Sequence, residues 1–144
     1  MEQFANGPYL QAAFFCERLL EEVDGVLSAI RMVDTIIFPE VETSTGVQEP
    51  VVNLTLFIAF KAGRARGSYD LTVAMEQLPD EGSPRPTERH SQTILFAGAD
   101  HGGITVIMPL AMSVDQEGVY WFRISLDDRL VTRLPLRVVS NRAR

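Results

Sequence analysis

The chain has 144 residues, 46% of them hydrophobic and 22% charged, with a formal net charge of -6. That is enough for one globular domain over residues 1–144 with one sizeable core. The acidic balance argues against nucleic acid or an anionic membrane as the general partner, because counterion displacement needs dense positive charge. With Cys16 as the single cysteine no internal disulfide can form, and the expectation is a cytoplasmic protein.

Period-2 alternation dominates the chain, the mark of strands with one buried face. Asp24-Gly25 is a two-residue hairpin signal between runs near 11–22 and 27–38. In "VVNLTLFIAFK" the inward set is Val52, Leu54, Leu56, Ile58 and Phe60. "SYDLTVAMEQ" repeats the pattern through Tyr69, Leu71, Val73 and Met75, and "ITVIMPLAMSVD" through Ile104 to Val114. A less regular strand is expected at 92–98. The polar, Pro-rich links "PEVETSTGVQEP" and "PDEGSPRPTERH" read as exposed loops.

The last two strands form the most informative stretch, "GVYWFRISLDDRLVTRLPLRVV". Tyr120, Phe122, Ile124 and Leu126 alternate with Trp121, Arg123 and Ser125. Leu130, Thr132, Leu134, Leu136 and Val138 alternate with Arg133, Pro135 and Arg137. A three-residue loop over 127–129 would set Leu126 opposite Leu130. Arg123 then faces Arg133, Trp121 faces Pro135 and Val119 faces Arg137. Pro109 and Pro135 cannot donate to a ladder and favour edges or bulges, so the final strand is expected at an edge.

About eight short strands separated by turns imply an all-β, antiparallel two-layer sandwich. "DQEGVYW" resembles the Asp-x-x-Gly-x-Tyr corner of immunoglobulin-like sandwiches, which gives Tyr120 a structural role and the fold an immunoglobulin-like character.

A family resemblance follows from "FFCERLLEEVDGVLSAIRMVDTIIFP", where a Cys-acidic pair ends an apolar run, an Asp-Gly turn follows and a second apolar strand continues. This resembles the opening hairpin of an uncharacterised group of small bacterial proteins catalogued as a domain of unknown function. "EGVYWFRISLDD" and "TRLPLRVV" resemble its closing hairpin. The resemblance implies a β-sandwich and no established activity. Val26 stands where the group often has Lys, and Arg31 where it often has Gly.

The outward set Trp121, Arg123, Arg133 and Arg137 nominates a partner-binding face. Opposed like charges on a ladder are unfavourable by roughly 0.2–1 kcal/mol, so a carboxylate from a partner or from the chain itself is expected to bridge them. Trp and Arg are also the types most enriched at energetic centres of interfaces. The plainer reading places Trp121 under a loop and pairs the arginines with the chain's own nineteen acidic residues.

Counting strands as strictly alternating puts the turns at 24–25, 63–67, 99–103 and 127–129 at one end. That end would gather Asp24, Asp100, Asp127 and Asp128 with Arg64, Arg66 and His101, a candidate site for calcium, an anion or a small ligand. Cys16, His90 and His101 match no zinc spacing, and no catalytic motif is present. The expectation is a non-catalytic protein-binding or assembly module without a cofactor. Its partner is another protein or a second copy, not nucleic acid or membrane, and its contact face is the last two strands. A ligand or calcium site near Asp24, Arg64, Asp100 and Asp127 is the alternative.

Overall fold

The computed structural model describes residues 6–38, 41–43, 46–48, 51–98, 100–114 and 116–140. The chain is all-β among these residues: β1 (Tyr9–Glu21), β2 (Leu27–Val33), β3 (Thr35–Phe38), β4 (Val41–Thr43), β5 (Gly46–Gln48), β6 (Val51–Lys61), β7 (Gly67–Pro79), β8 (Arg85–Phe96), β9 (Gly103–Ser113), β10 (Gly118–Leu126) and β11 (Arg129–Ser140). Nine strands make two sheets, ordered β2-β1-β6-β9 and β3-β11-β10-β7-β8, and β4-β5 is a separate ribbon. All pairings are antiparallel except β3 with β11.

The alternating apolar residues meet between the sheets. Leu54, Leu56, Ile58 and Phe60 of β6 and Val106, Met108 and Met112 of β9 are buried on one side. Leu71, Val73 and Met75 of β7, Tyr120, Phe122, Ile124 and Leu126 of β10, and Leu136 and Val138 of β11 are buried on the other. Phe15 of β1 and Phe122 of β10 join the layers edge to face, with ring centroids 4.8 Å apart.

Several expectations are corrected. The count of about eight strands becomes nine in the two sheets, because the run 27–38 splits: β2 stays beside β1, and β3 crosses after Asp34 to the other sheet. The loop expected over 79–90 is strand from Arg85 onward. Pro86 is accommodated because β8 is an edge strand. The first hairpin closes through a three-residue loop rather than two: Glu22 N–H donates to Val26 O at 2.8 Å, and Gly25 takes a φ of +85°.

The C-terminal strand β11 is not a simple edge, since β3 covers it from Arg137 to Ser140. The backbone N–H of Arg137 donates to Asp34 O, so residues spaced by two on β11 aim their N–H groups away from β10. Pro135, two residues earlier, therefore has its missing donor on the uncovered stretch.

The expected three-residue loop after β10 is a two-residue turn. Asp127 and Asp128 take φ of +48° and +64°, the primed geometry that continues the strand twist. Leu126 thus pairs with Arg129, not Leu130. One extra residue then enters β11 between Leu130 and Thr132, and this bulge restores the register, so Arg123 faces Arg133 and Trp121 faces Pro135.

Asp127 supports the turn by accepting the Asp70 N–H at 2.8 Å, whereas Asp128 is exposed. Asp128→Gly is therefore expected to raise stability by roughly 1 kcal/mol, since glycine has no steric penalty at positive φ. Chemical denaturation checks this, and Asp127→Gly is expected not to reproduce the gain because it loses the hydrogen bond.

Candidate functional site

The outer face of the five-stranded sheet is built by alternation. On β10 the even-numbered residues fill the core, so Trp121 and Arg123 emerge on the opposite side, Trp121 half-buried and Arg123 exposed. On β11, Arg133 is exposed and its guanidinium carbon lies 4.4 Å from the centroid of the Trp121 ring, a cation–π contact. The stacking sets one guanidinium over the indole, and among the described residues no hydrogen bond engages its N–H groups.

Register extends the row. Arg133 pairs with Arg123, Arg123 with Ala74 of β7, and Ala74 with Arg89 of β8. Three arginines therefore lie across four strands, with small Ala74 between two of them. In the next row Trp121 lies between Pro135 and Glu76. Among the described residues, Arg89, Arg123 and Arg133 have no carboxylate partner. Arg89 was not legible as part of this face, because its segment reads as a polar Pro-rich loop until the β7–β8 pairing is known.

Arg137 is different. Its guanidinium grips Asp80 with two hydrogen bonds, Nη1 to Oδ1 at 2.7 Å and Nη2 to Oδ2 at 3.0 Å. The bond to Asp80 raises its pKa above the usual value. Arg137 thus ties β11 to the loop after β7, and of the four nominated residues it is the one engaged by the chain's own acid.

The expected loop-end site is dispersed by topology. β1 and β6 are antiparallel, with Tyr9 opposite Lys61, so the turn after β1 and the turn after β6 are at opposite ends. Asp24 is therefore remote from Arg64, Asp100 and Asp127. The strict alternation that grouped them fails because β3 inserts a further strand before β6. At the other end, Arg66 donates to the carbonyls of Gly63 and Ala65 and to Asp100 Oδ1 at 2.8 Å. Asp127 is committed to Asp70 N–H. Arg64 and His101 are exposed on their turns. Among the described residues no group of three or more His, Cys, Asp or Glu is arranged to hold a metal ion.

Cys16 is fully buried on β1, and burial pushes its thiol pKa up, away from the reactive thiolate. His90 is exposed on β8 in the other sheet. A cleft of about 420 Å3 opens between the edges β8 and β9, lined by Met75, His90, Met108, Met112 and Phe122 among others. It too was hidden while β8 read as a loop.

Fold and surface together define a two-sheet β-sandwich that carries a tryptophan and a row of arginines on one outer face. The chain belongs to a family of unknown function, DUF6941, whose model matches residues 11–139. Among curated proteins none matches the chain. Arg31, where the resembling group often has Gly, has a φ of +54°, a conformation that glycine adopts without penalty.

Proposed function

We propose that the protein is a non-catalytic protein-binding module whose contact face is the outer side of β10 and β11, and that it takes an acidic segment with apolar side chains. The observation that carries this reading is the opposition of Arg123 and Arg133 with neither ion-paired to a carboxylate among the described residues, Glu76 lying diagonal to Arg123 in the next row. Opposed like charges destabilise a ladder. A sequence that keeps them on an exposed face, next to a half-buried indole, has the composition of an interface centre. A carboxylate supplied from outside would bridge the two guanidinium groups with charge-assisted hydrogen bonds.

The reading includes an immunoglobulin-like sandwich. Strands β1, β6 and β9 follow the order of A, B and E, and β11, β10, β7 and β8 follow G, F, C and C′ of the variable type. Tyr120 is buried near the start of β10, where the tyrosine corner falls. Asp115, the first residue of that motif, lies outside the described residues.

Trp121 is the chain's single tryptophan, so intrinsic fluorescence reports this face alone. Titration with a soluble peptide alternating glutamate with valine and leucine is expected to shift its emission saturably. Arg123→Glu is expected to abolish the shift while the melting temperature holds or rises, because an Arg–Arg pair becomes Glu–Arg. A face that gives no response in the natural protein, or an equal response in Arg123→Glu, rules the reading out.

A further inference from the structure

The first hairpin outgrows its sheet. Pairing between β1 and β6 ends at Cys16 opposite Thr55, whereas the β1–β2 ladder continues to Glu21 opposite Leu27. Beyond Cys16 neither strand pairs with a third among the described residues, and the hairpin forms an arm. Its tip is apolar and exposed, with Val23 at 109% and Val26 at 59% relative accessibility and Leu20 and Leu27 also exposed. It is also acidic: Glu21, Glu22 and Asp24 are exposed, and from Leu19 to Ile30 there is no Lys or Arg.

The tip is preformed. Besides the backbone bonds of its turn, Val26 N–H donates to Asp24 Oδ1 at 3.1 Å and Ser28 Oγ donates to Glu22 Oε1 at 2.9 Å. A knob ordered in advance loses little conformational entropy on docking.

Resting on the binding reading above, we infer that the acidic, apolar arm of one copy of this chain docks on the Trp121–arginine face of a second copy. The chemistry is complementary on both counts. Glu21, Glu22 and Asp24 meet Arg89, Arg123 and Arg133, and Val23 and Val26 meet Trp121 and its neighbours Pro135 and Leu78.

A copy cannot satisfy its own face this way. The arm continues β1 and β2 of the four-stranded sheet, and the face is the outward side of the other sheet. The whole sandwich, with sheets about 10 Å apart, stands between them. Donor and acceptor surfaces differ, so the contact is heterologous and each docking leaves a free arm and a free face. The net charge of -6 does not forbid it, since exposed charges beyond a Debye length, about 8 Å at physiological salt, are largely screened.

Sedimentation over a concentration series tests this on the full chain. The natural protein is expected to exceed its 16.0 kDa monomer mass increasingly with concentration, and less so as salt rises. An arm variant, Glu21→Arg with Glu22→Arg, and a face variant, Arg89→Gln with Arg123→Gln, are each expected to be monomeric. Mixed, they are expected to form a one-to-one dimer, because the arm variant keeps its face and the face variant keeps its arm. That dimer also proves both variants folded.

A natural protein that stays monomeric throughout, or assembly that survives in both variants, overturns the inference. Monomeric protein with an Arg123-dependent peptide response removes the self-docking and leaves the binding face standing. Monomeric protein without that response removes both.

Discussion

Phe122→Ala is expected to destabilise the protein by about 3–5 kcal/mol, the range for removing a buried phenylalanine from a core. Phe122 is 2% exposed, and its ring packs edge to face on Phe15 of the opposite sheet. Its neighbours are strands pinned by ladders on both sides, β7 and β11, so the cavity cannot close by a small shift. Denaturant unfolding, read through Trp121 fluorescence, measures the change as a lower midpoint at unchanged slope. The neighbouring Arg123→Ala, which removes an exposed side chain from the other face of the same strand, is expected to change stability by no more than about 0.5 kcal/mol. A loss below about 1 kcal/mol for Phe122→Ala would mean that the two faces of β10 are assigned the wrong way round.

Those two neighbours show what the sequence makes legible. Alternation in β6, β7, β9 and β10 marks the core face, because a half-buried strand leaves no other arrangement of its apolar set, although Ala59 and Thr72 of the opposite set are buried as well. The pairing of Arg123 with Arg133 was legible too, though through two cancelling errors: the turn is one residue shorter than expected, and a bulge at Val131 adds the residue back. What could not be read was anything set by partners distant along the chain. β8 from Arg85 to Thr93 is exposed throughout, so it has no buried set to reveal its period, and its pairing with β7 alone makes it a strand. Arg89 entered the basic row only through that pairing. Likewise, nothing in "IRMVDTIIFP" marks Asp34 as the point where the chain changes sheets. Missing that crossover inverted the count of ends and wrongly placed Asp24 beside Asp127.

Gly118 shows how a short motif acquires a physical reason. It opens β10 with a φ of +157°, opposite Pro79 on β7 and Val138 on β11. A Cβ there would overlap the Leu78 carbonyl oxygen and approach Pro79 Cα to 2.8 Å. Both are backbone atoms of a paired strand, so no rotamer change relieves the clash and β7 and β10 must separate locally. Gly118→Ala is accordingly expected to lower stability by about 1–3 kcal/mol, the range for overpacking a close-packed site. Gly98→Ala, where an added Cβ meets nothing within 4 Å, is expected to be neutral. The melting temperatures of the two variants check the contrast, and equal values would disprove it. The same strain reaches function, because β10 carries Trp121 three residues on. Parting β10 from β7 shifts the indole relative to Arg133 and widens the Arg123–Arg89 gap across Ala74. Gly118→Ala is therefore expected to weaken the peptide-induced fluorescence response even at temperatures where the variant is fully folded, and Gly98→Ala is expected to leave it intact.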